Sequence, residues 1–286
     1  NPGDRVAIFS PFYENYGADT ILSGAEPVYI PLVPPEFSFD AAALEAAFRQ
    51  GAKALILCNP SNPCGKVFTL AELTVIADLA KKYDAYVITD EVYEHIVYAP
   101  YRHVYLAALP GMRERTIVCS SLSKTYSITG WRLGYVIASP AVIDRVKKVH
   151  DFLTVGAAAP LMEAAVVGLT FGDGYYAALQ AHYTHMRELF VGGLQRLGFS
   201  VTEPQGAYYV LMDVAEFGVR DDLAFAEWLA AEVGVAVVPG SSFFKEDVQH
   251  LVRFHFAKED ATLQAALNRL EGLKKKAAAA RTAAWR

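Results

Sequence analysis

Ala54-Leu55-Ile56-Leu57-Cys58, the helical-period segment 70–83 and Tyr86-Val87-Ile88-Thr89-Asp90 read as strand, helix and strand. A unit of this kind joins parallel neighbours, and its repetition builds a mostly parallel sheet covered by helices on both faces. The alternation continues outward from this unit. Strands are expected at 5–10 and 27–32, helices at 16–23 and 40–49, and further strands at 116–120 and 134–138. The fold class is therefore α/β, a three-layer, mostly parallel sheet. Ligands of such sheets sit beyond the carboxyl ends of the strands, so the residues that follow each strand carry the functional information.

Downstream the pattern is helical, at 140–152, 161–171 and 175–197, with Gly198 ending the last and longest segment. Strands at 208–214, 236–238 and 252–257, with helices at 223–233 and 260–276, make a smaller α+β unit. The expected division is a large unit over 1–180 and a small C-terminal one over 181–286. The basic, alanine-rich end beginning at Lys274-Lys275-Lys276 reads as a fraying helix terminus whose charges suit the helix dipole.

The 286 residues are 53% hydrophobic and 20% charged, a balance for a folded chain of about two domains. Its apolar runs are interrupted well short of the roughly 18 residues a membrane span needs. A net charge of −5 offers no electrostatic footprint for nucleic acid. Cys58, Cys64 and Cys119 form neither a metal-ligand spacing nor an even disulfide set, which points to a reducing, cytoplasmic setting. Asn1-Pro2-Gly3-Asp4 leads straight into an apolar run, as if the chain opens in mid-domain.

The densest chemistry lies in Ser120-Ser121-Leu122-Ser123-Lys124-Thr125-Tyr126-Ser127-Ile128-Thr129-Gly130-Trp131-Arg132-Leu133-Gly134. A lysine close to the interior of an α/β sheet is costly as an ammonium and yields readily to the neutral amine that condenses with an aldehyde. Hydroxyls and a guanidinium nearby are what a phosphate requires. Read alone, Ser-x-x-Lys is a helix-capping loop. Asp90 ends a strongly apolar strand, where an unpaired carboxylate is expensive. A pyridinium nitrogen is a fitting partner for it, and a helix N-cap is the plainer alternative. Asn59-Pro60-Ser61-Asn62-Pro63-Cys64-Gly65-Lys66 is a stiff loop able to hold an amide at the ligand edge of the sheet, or simply a turn.

Taken together, these motifs make the chain resemble the class I/II aminotransferases of pyridoxal-5′-phosphate (PLP) fold type I, a group that includes aspartate, aromatic, kynurenine and methionine aminotransferases. The match rests on residues 59–65, on Asp90-Glu91-Val92-Tyr93, on 121–124 running into Thr129-Gly130-Trp131-Arg132, and on Val252-Arg253-Phe254. The resemblance implies that Lys124 forms the Schiff base with PLP and moves the substrate Cα proton. It implies that Asp90 pairs with the pyridine nitrogen, that Tyr93 and Asn62 bond the phenolic oxygen, and that Ser121, Arg132 and, more weakly, Ser123 take the phosphate. Tyr13 falls where the family stacks an aromatic ring on the cofactor, and Arg253 where it binds the substrate α-carboxylate. Cys64 stands where the family has threonine, and the family's N-terminal segment has no counterpart before Asn1.

The implied activity is transfer of an amino group between an L-amino acid and a 2-oxo acid, by a homodimer that binds neither nucleic acid nor membrane. Two other readings share these residues: a PLP-dependent carbon–sulfur β-lyase, and a truncated PLP-fold protein serving as a binding or structural module. Tyr13, Tyr16 and Phe244 lean toward an aromatic or large apolar substrate rather than a dicarboxylate.

Overall fold

The computed structural model describes residues 1–280 and Trp285. The first half alternates as expected: β1 (Arg5–Ser10), α1 (Asn15–Leu22), β2 (Glu26–Val33), β3 (Ser38–Phe39), α2 (Ala41–Arg49), β4 (Ala52–Cys58), α3 (Leu70–Lys82), β5 (Tyr86–Asp90) and β6 (Thr116–Ser121). A short helix α4 (Leu122–Thr125) and strand β7 (Gly134–Ile137) follow. These strands form one sheet ordered β3-β2-β1-β4-β5-β6-β7. The pairs from β2 through β6 are parallel, whereas β3 and β7 run antiparallel at the two edges. The two-residue β3 is too short to leave a periodic signal in the sequence.

Helix α3 shows why the opening stretch folds as it does. Thr69 accepts from the Glu72 backbone N–H while the Glu72 side chain accepts from the Thr69 N–H, a reciprocal capping box. Lys81 and Lys82 occupy the last turn, where positive charge opposes the dipole. Its inward face, Leu73, Ile76, Ala77 and Ala80, packs in the core that also holds Leu55, Leu57 and Val87 from β4 and β5. The buried Lys66 ammonium pairs with Glu72 at 2.7 Å and ties the preceding loop to this cap.

Beyond β7 come α5 (Pro140–Leu153), α6 (Ala159–Leu169) and the 24-residue α7 (Asp173–Arg196), inside which the expected boundary at 180 falls. The C-terminal part has β8 (Tyr209–Asp213), α8 (Asp222–Trp228), β9 (Val238–Pro239), β10 (Leu251–His255), α9 (Asp260–Leu270) and α10 (Leu273–Ala279). Its sheet is antiparallel, in the order β8-β10-β9. Two expected helices are divided. The first passes into a π-turn over Leu229–Val233, and the second breaks at Gly272, the weakest helix former in its segment.

Helix α10 is packed along one face. Leu273 and Ala277 are buried, and Lys274 reaches Glu216 and the Gly198 carbonyl, both at 3.0 Å. Trp285 is buried against Trp228, with ring centroids 4.4 Å apart. Residues 281–284 and Arg286 lie outside the described residues. The opposite situation holds at the β7 edge. There Ile137, Phe152 and Leu153 are exposed, Phe152 by 90%, and α5 buries none of its residues.

The C-terminal part is joined to the main sheet just beside β4. Gln205 and Gly206 both donate their backbone N–H to the Gly65 carbonyl, at 2.9 and 2.8 Å, and the Gln205 side chain accepts from the Val67 N–H. A Cβ on Gly206 would stand 2.8 Å from the Pro60 ring and 2.9 Å from Val67. Gly206→Ala is expected to cost about 1–3 kcal/mol, because a proline ring cannot swing aside as a flexible chain can. The check is the denaturation midpoint against wild type, and an unchanged midpoint would show that the two segments are not tightly apposed.

Candidate active site

The strands β1, β4, β5 and β6 deliver their carboxyl ends to one place, and the loops that leave them surround a cavity of about 510 Å³. Tyr13, Asn62, Asp90, Tyr93, Ser121, Ser123, Lys124 and Arg132 all line it, and β10 brings Arg253 from the far end of the chain. Every residue given a cofactor or carboxylate role from the sequence therefore lines this one cavity.

Asp90 is the last residue of β5, in register with Cys58 on one neighbouring strand and Cys119 on the other. One carboxylate oxygen accepts the Val92 N–H at 3.2 Å, the N-cap-like contact that the sequence also allowed. Its second oxygen accepts the Tyr16 hydroxyl at 2.6 Å. Burial pushes the Asp90 carboxyl above the usual carboxylate range, while the bonds from Tyr16 and Val92 and the Lys124 charge oppose that rise. Burial likewise drives the Cys58 thiol far up, and the nearby Asp90 charge adds to it, so neither this thiol nor Cys119, pushed to about 11, is an activated nucleophile. Glu91, next in the motif, turns away from the cavity and takes hydrogen bonds from Thr89 at 2.8 Å and with His103 at 2.9 Å.

Lys124 projects from α4, directly after β6, with its Nζ 6.0 Å from the centre of the Tyr208 ring. Ser121 caps α4 by accepting the Ser123 N–H at 3.1 Å, and its hydroxyl lies 2.7 Å from the Ser123 hydroxyl. The chain then turns back through Ser127 and Arg132, both with left-handed backbones (φ 55° and 57°). That conformation costs a non-glycine residue roughly 1–3 kcal/mol and is characteristic of places where a side chain must be aimed. Arg132 spends one guanidinium N–H on the Thr129 carbonyl at 3.1 Å.

The Arg253 guanidinium carbon lies over the rings of Tyr209 and Phe243, 4.4 Å from the centre of each. One N–H donates to Asn62 Oδ1 at 2.7 Å, and its buried Nε–H has no partner among the described residues. Tyr209, which the sequence reading passed over, also lies 2.7 Å from the Tyr93 hydroxyl, and burial raises both phenols above their usual range. Phe244, by contrast, packs against the core of the main sheet and does not line the cavity.

Residues 1–270 match the sequence profile described as "Aminotransferase class I and II". This chain belongs to that family. The aminotransferase is 38% identical over 284 residues to the probable N-succinyldiaminopimelate aminotransferase DapC of Mycobacterium tuberculosis, with 95% of this chain and 72% of that protein covered. It is 34% identical over 272 residues to the methionine aminotransferase of Escherichia coli, covering 95% of this chain and 70% of that one. Among solved structures, the aromatic aminotransferase of Pyrococcus horikoshii OT3 superimposes with a TM-score of 0.90 at 34% identity, over 96% of this chain and 74% of its own. The fold is PLP fold type I and the chain is a PLP-dependent aminotransferase. The lyase and inactive-scaffold alternatives are not favoured. No helix of the described residues is long and apolar enough to cross a membrane.

The cavity's donor set fits PLP on its own chemistry. A lysine amine answers an aldehyde, the serine hydroxyls with Arg132 answer a phosphate, and a buried carboxylate answers a ring nitrogen.

Burial of Asp90 has a consequence for the cofactor-free protein. A carboxyl whose folded pKa exceeds its unfolded one keeps its proton in the fold after the unfolded chain has lost it. Stability therefore falls as pH rises from the ordinary value near 3.8 and levels off above the folded pKa. In urea titrations of the cofactor-free protein across this window, Asp90→Asn should lack that component of the decline and be the more stable chain at neutral pH. A variant whose pH dependence overlays wild type would show that Asp90 is not desolvated.

Proposed function

We propose that the aminotransferase exchanges an amino group between an L-amino acid and a 2-oxo acid, with Lys124 as the covalent anchor and proton carrier. The observation that supports this reading is the convergence of Lys124, Asp90 and Arg253 on one cavity at the carboxyl ends of the strands. PLP, when bound, supplies an aldehyde carbon for amines and a ring that accepts electrons from the substrate's Cα.

Arg253 provides the substrate's first anchor. It is held by two aromatic rings and one bond to Asn62, so its remaining N–H groups meet a carboxylate as a rigid fork, which a lysine could not copy. Lys124 Nζ, once free, takes the proton from the substrate Cα and returns it at the other end of the transfer. Asp90 holds positive charge on the ring nitrogen, and its burial makes that charge pairing strong. Asn62 accepts from Arg253 through its oxygen and keeps its amide N–H groups for the cofactor's phenolic oxygen, with the Tyr93 hydroxyl as second partner. Ser121, Ser123 and Arg132 hold the phosphate, and Tyr13 covers one face of the ring.

The division into a cofactor-binding unit, 1–180, and a small unit, 181–286, belongs to the same proposal. So do a cytoplasmic setting and a homodimer. Exposed Ile137, Phe152, Leu153 and Val166 support the last, since an apolar patch of that kind is costly in water. The case for an aromatic substrate rests on Tyr13 alone, because Tyr16 bonds Asp90 and Phe244 is in the core. The proposed substrate is therefore any L-amino acid with a free α-carboxylate.

Borohydride reduction of the PLP-loaded protein should fix the cofactor to a single peptide containing Lys124. Lys124→Ala should lose this label, the visible absorption band, and about 10²- to 10⁴-fold in turnover, the scale typical of losing an acid–base group. A label retained in that variant would place the anchor elsewhere.

A further inference from the structure

Tyr16 has no part in the scheme above, yet it makes the shortest hydrogen bond to the group on which that scheme leans. It sits in the first turn of α1 beside the cavity, and its hydroxyl donates to Asp90 Oδ2 at 2.6 Å. Burial, the Asp90 charge and the adjacent Cys58 sulfur hold its phenol protonated far above neutral pH, so toward the carboxylate it acts only as a donor. Its ring is kept in place by the edge of Tyr13, 5.7 Å away, and its backbone carbonyl by the Thr20 hydroxyl at 2.7 Å.

Among the described residues, few polar or charged groups face Asp90. They are the Tyr16 hydroxyl, the Val92 N–H at 3.2 Å, the Lys124 ammonium, the like charge of Glu91, and the thiols of Cys58 and Cys119 on the flanking strands. Two of these, Tyr16 and Val92, donate hydrogen bonds to the carboxylate. Lys124 contributes charge and no hydrogen bond, and once joined to the cofactor it would do so only while the joining nitrogen is protonated. The Val92 bond is long, which leaves Tyr16 as the strong, charge-assisted one.

We propose that Tyr16 is a positioning residue that keeps Asp90 ionised, aimed into the cavity and a weak enough base to leave the proton on the cofactor's ring nitrogen. This rests on the proposed pairing of Asp90 with that nitrogen. A buried carboxylate stripped of its best donor gains proton affinity. The proton then moves from ring nitrogen to carboxyl oxygen, an N–H bond breaking as an O–H bond forms, with no change in total charge. A neutral ring withdraws fewer electrons, so the nitrogen that joins lysine to cofactor holds its own proton to higher pH.

The test is Tyr16→Phe, which removes one oxygen and leaves the ring packing intact. In the PLP-loaded protein the pH midpoint of the visible band should rise. The kcat should fall by about ten- to hundredfold, the range expected for loss of a hydrogen bond to a charged group, with KM for the amino donor within about twofold. In the cofactor-free protein the pH-dependent loss of stability assigned to Asp90 should extend to higher pH, a reading that holds even if the cofactor pairing is wrong. A loss carried by KM with an unmoved midpoint would make Tyr16 a wall of the substrate site. An unmoved stability profile in the cofactor-free chain would remove it as the partner that holds Asp90 ionised. Either result overturns the proposal.

Discussion

A carboxylate at the end of an apolar strand constrains everything built around it. Asp90 is carried into the centre of the sheet by β5, between two strands that offer it only thiols at the same level. Leaving such a group ionised without partners is expensive, and the fold answers with a phenol from the β1 side, a backbone N–H from its own turn and an ammonium from the β6 side. The positions of Tyr16 and Lys124 follow from that need as much as from any need of the substrate.

The second constraint is that Arg253, the proposed carboxylate anchor, reaches the cavity from the other end of the chain. Arg253 lies 191 residues from Asn62, yet the two share a 2.7 Å hydrogen bond. The contact is possible because Gln205 and Gly206 lock the C-terminal part onto the loop after β4. Tyr209 extends the same link, with one face on the Arg253 guanidinium and its hydroxyl on Tyr93. In the proposed scheme carboxylate binding and cofactor binding share this linked set of side chains, which preorganises the site rather than leaving its assembly to the substrate.

Much of this was legible in the sequence, for identifiable reasons. The strand-and-helix alternation around residues 54–90 carries its own periodicity and its own caps, so local pattern and global fold agree there. The aspartate ends β5 and the lysine follows β6, which is where an α/β sheet concentrates its chemistry, whereas Arg132 precedes β7 and Arg253 lies within β10. What escaped reading was non-local. Tyr16 looks like any aromatic in an amphipathic turn, and only the parallel packing of β1, β4 and β5 brings its hydroxyl to Asp90. Tyr209 is one of two adjacent tyrosines in a strand, and nothing in the spacing tells which faces the cavity. The buried face of α10 escaped reading because lysines and alanines resemble a solvated helix end, and the burial of Trp285 against Phe225 and Trp228 is a contact that local pattern does not carry.

The central claim, that Asp90 faces the ring nitrogen of a cofactor whose aldehyde end meets Lys124, is open to direct observation. Loading the protein with PLP labelled with ¹⁵N in its ring should give a nitrogen resonance in the protonated-pyridine range, unchanged through neutral pH, and Asp90→Asn should shift it to the neutral-pyridine range. A wild-type resonance already in the neutral range, or one indifferent to the loss of the Asp90 charge, would contradict the account.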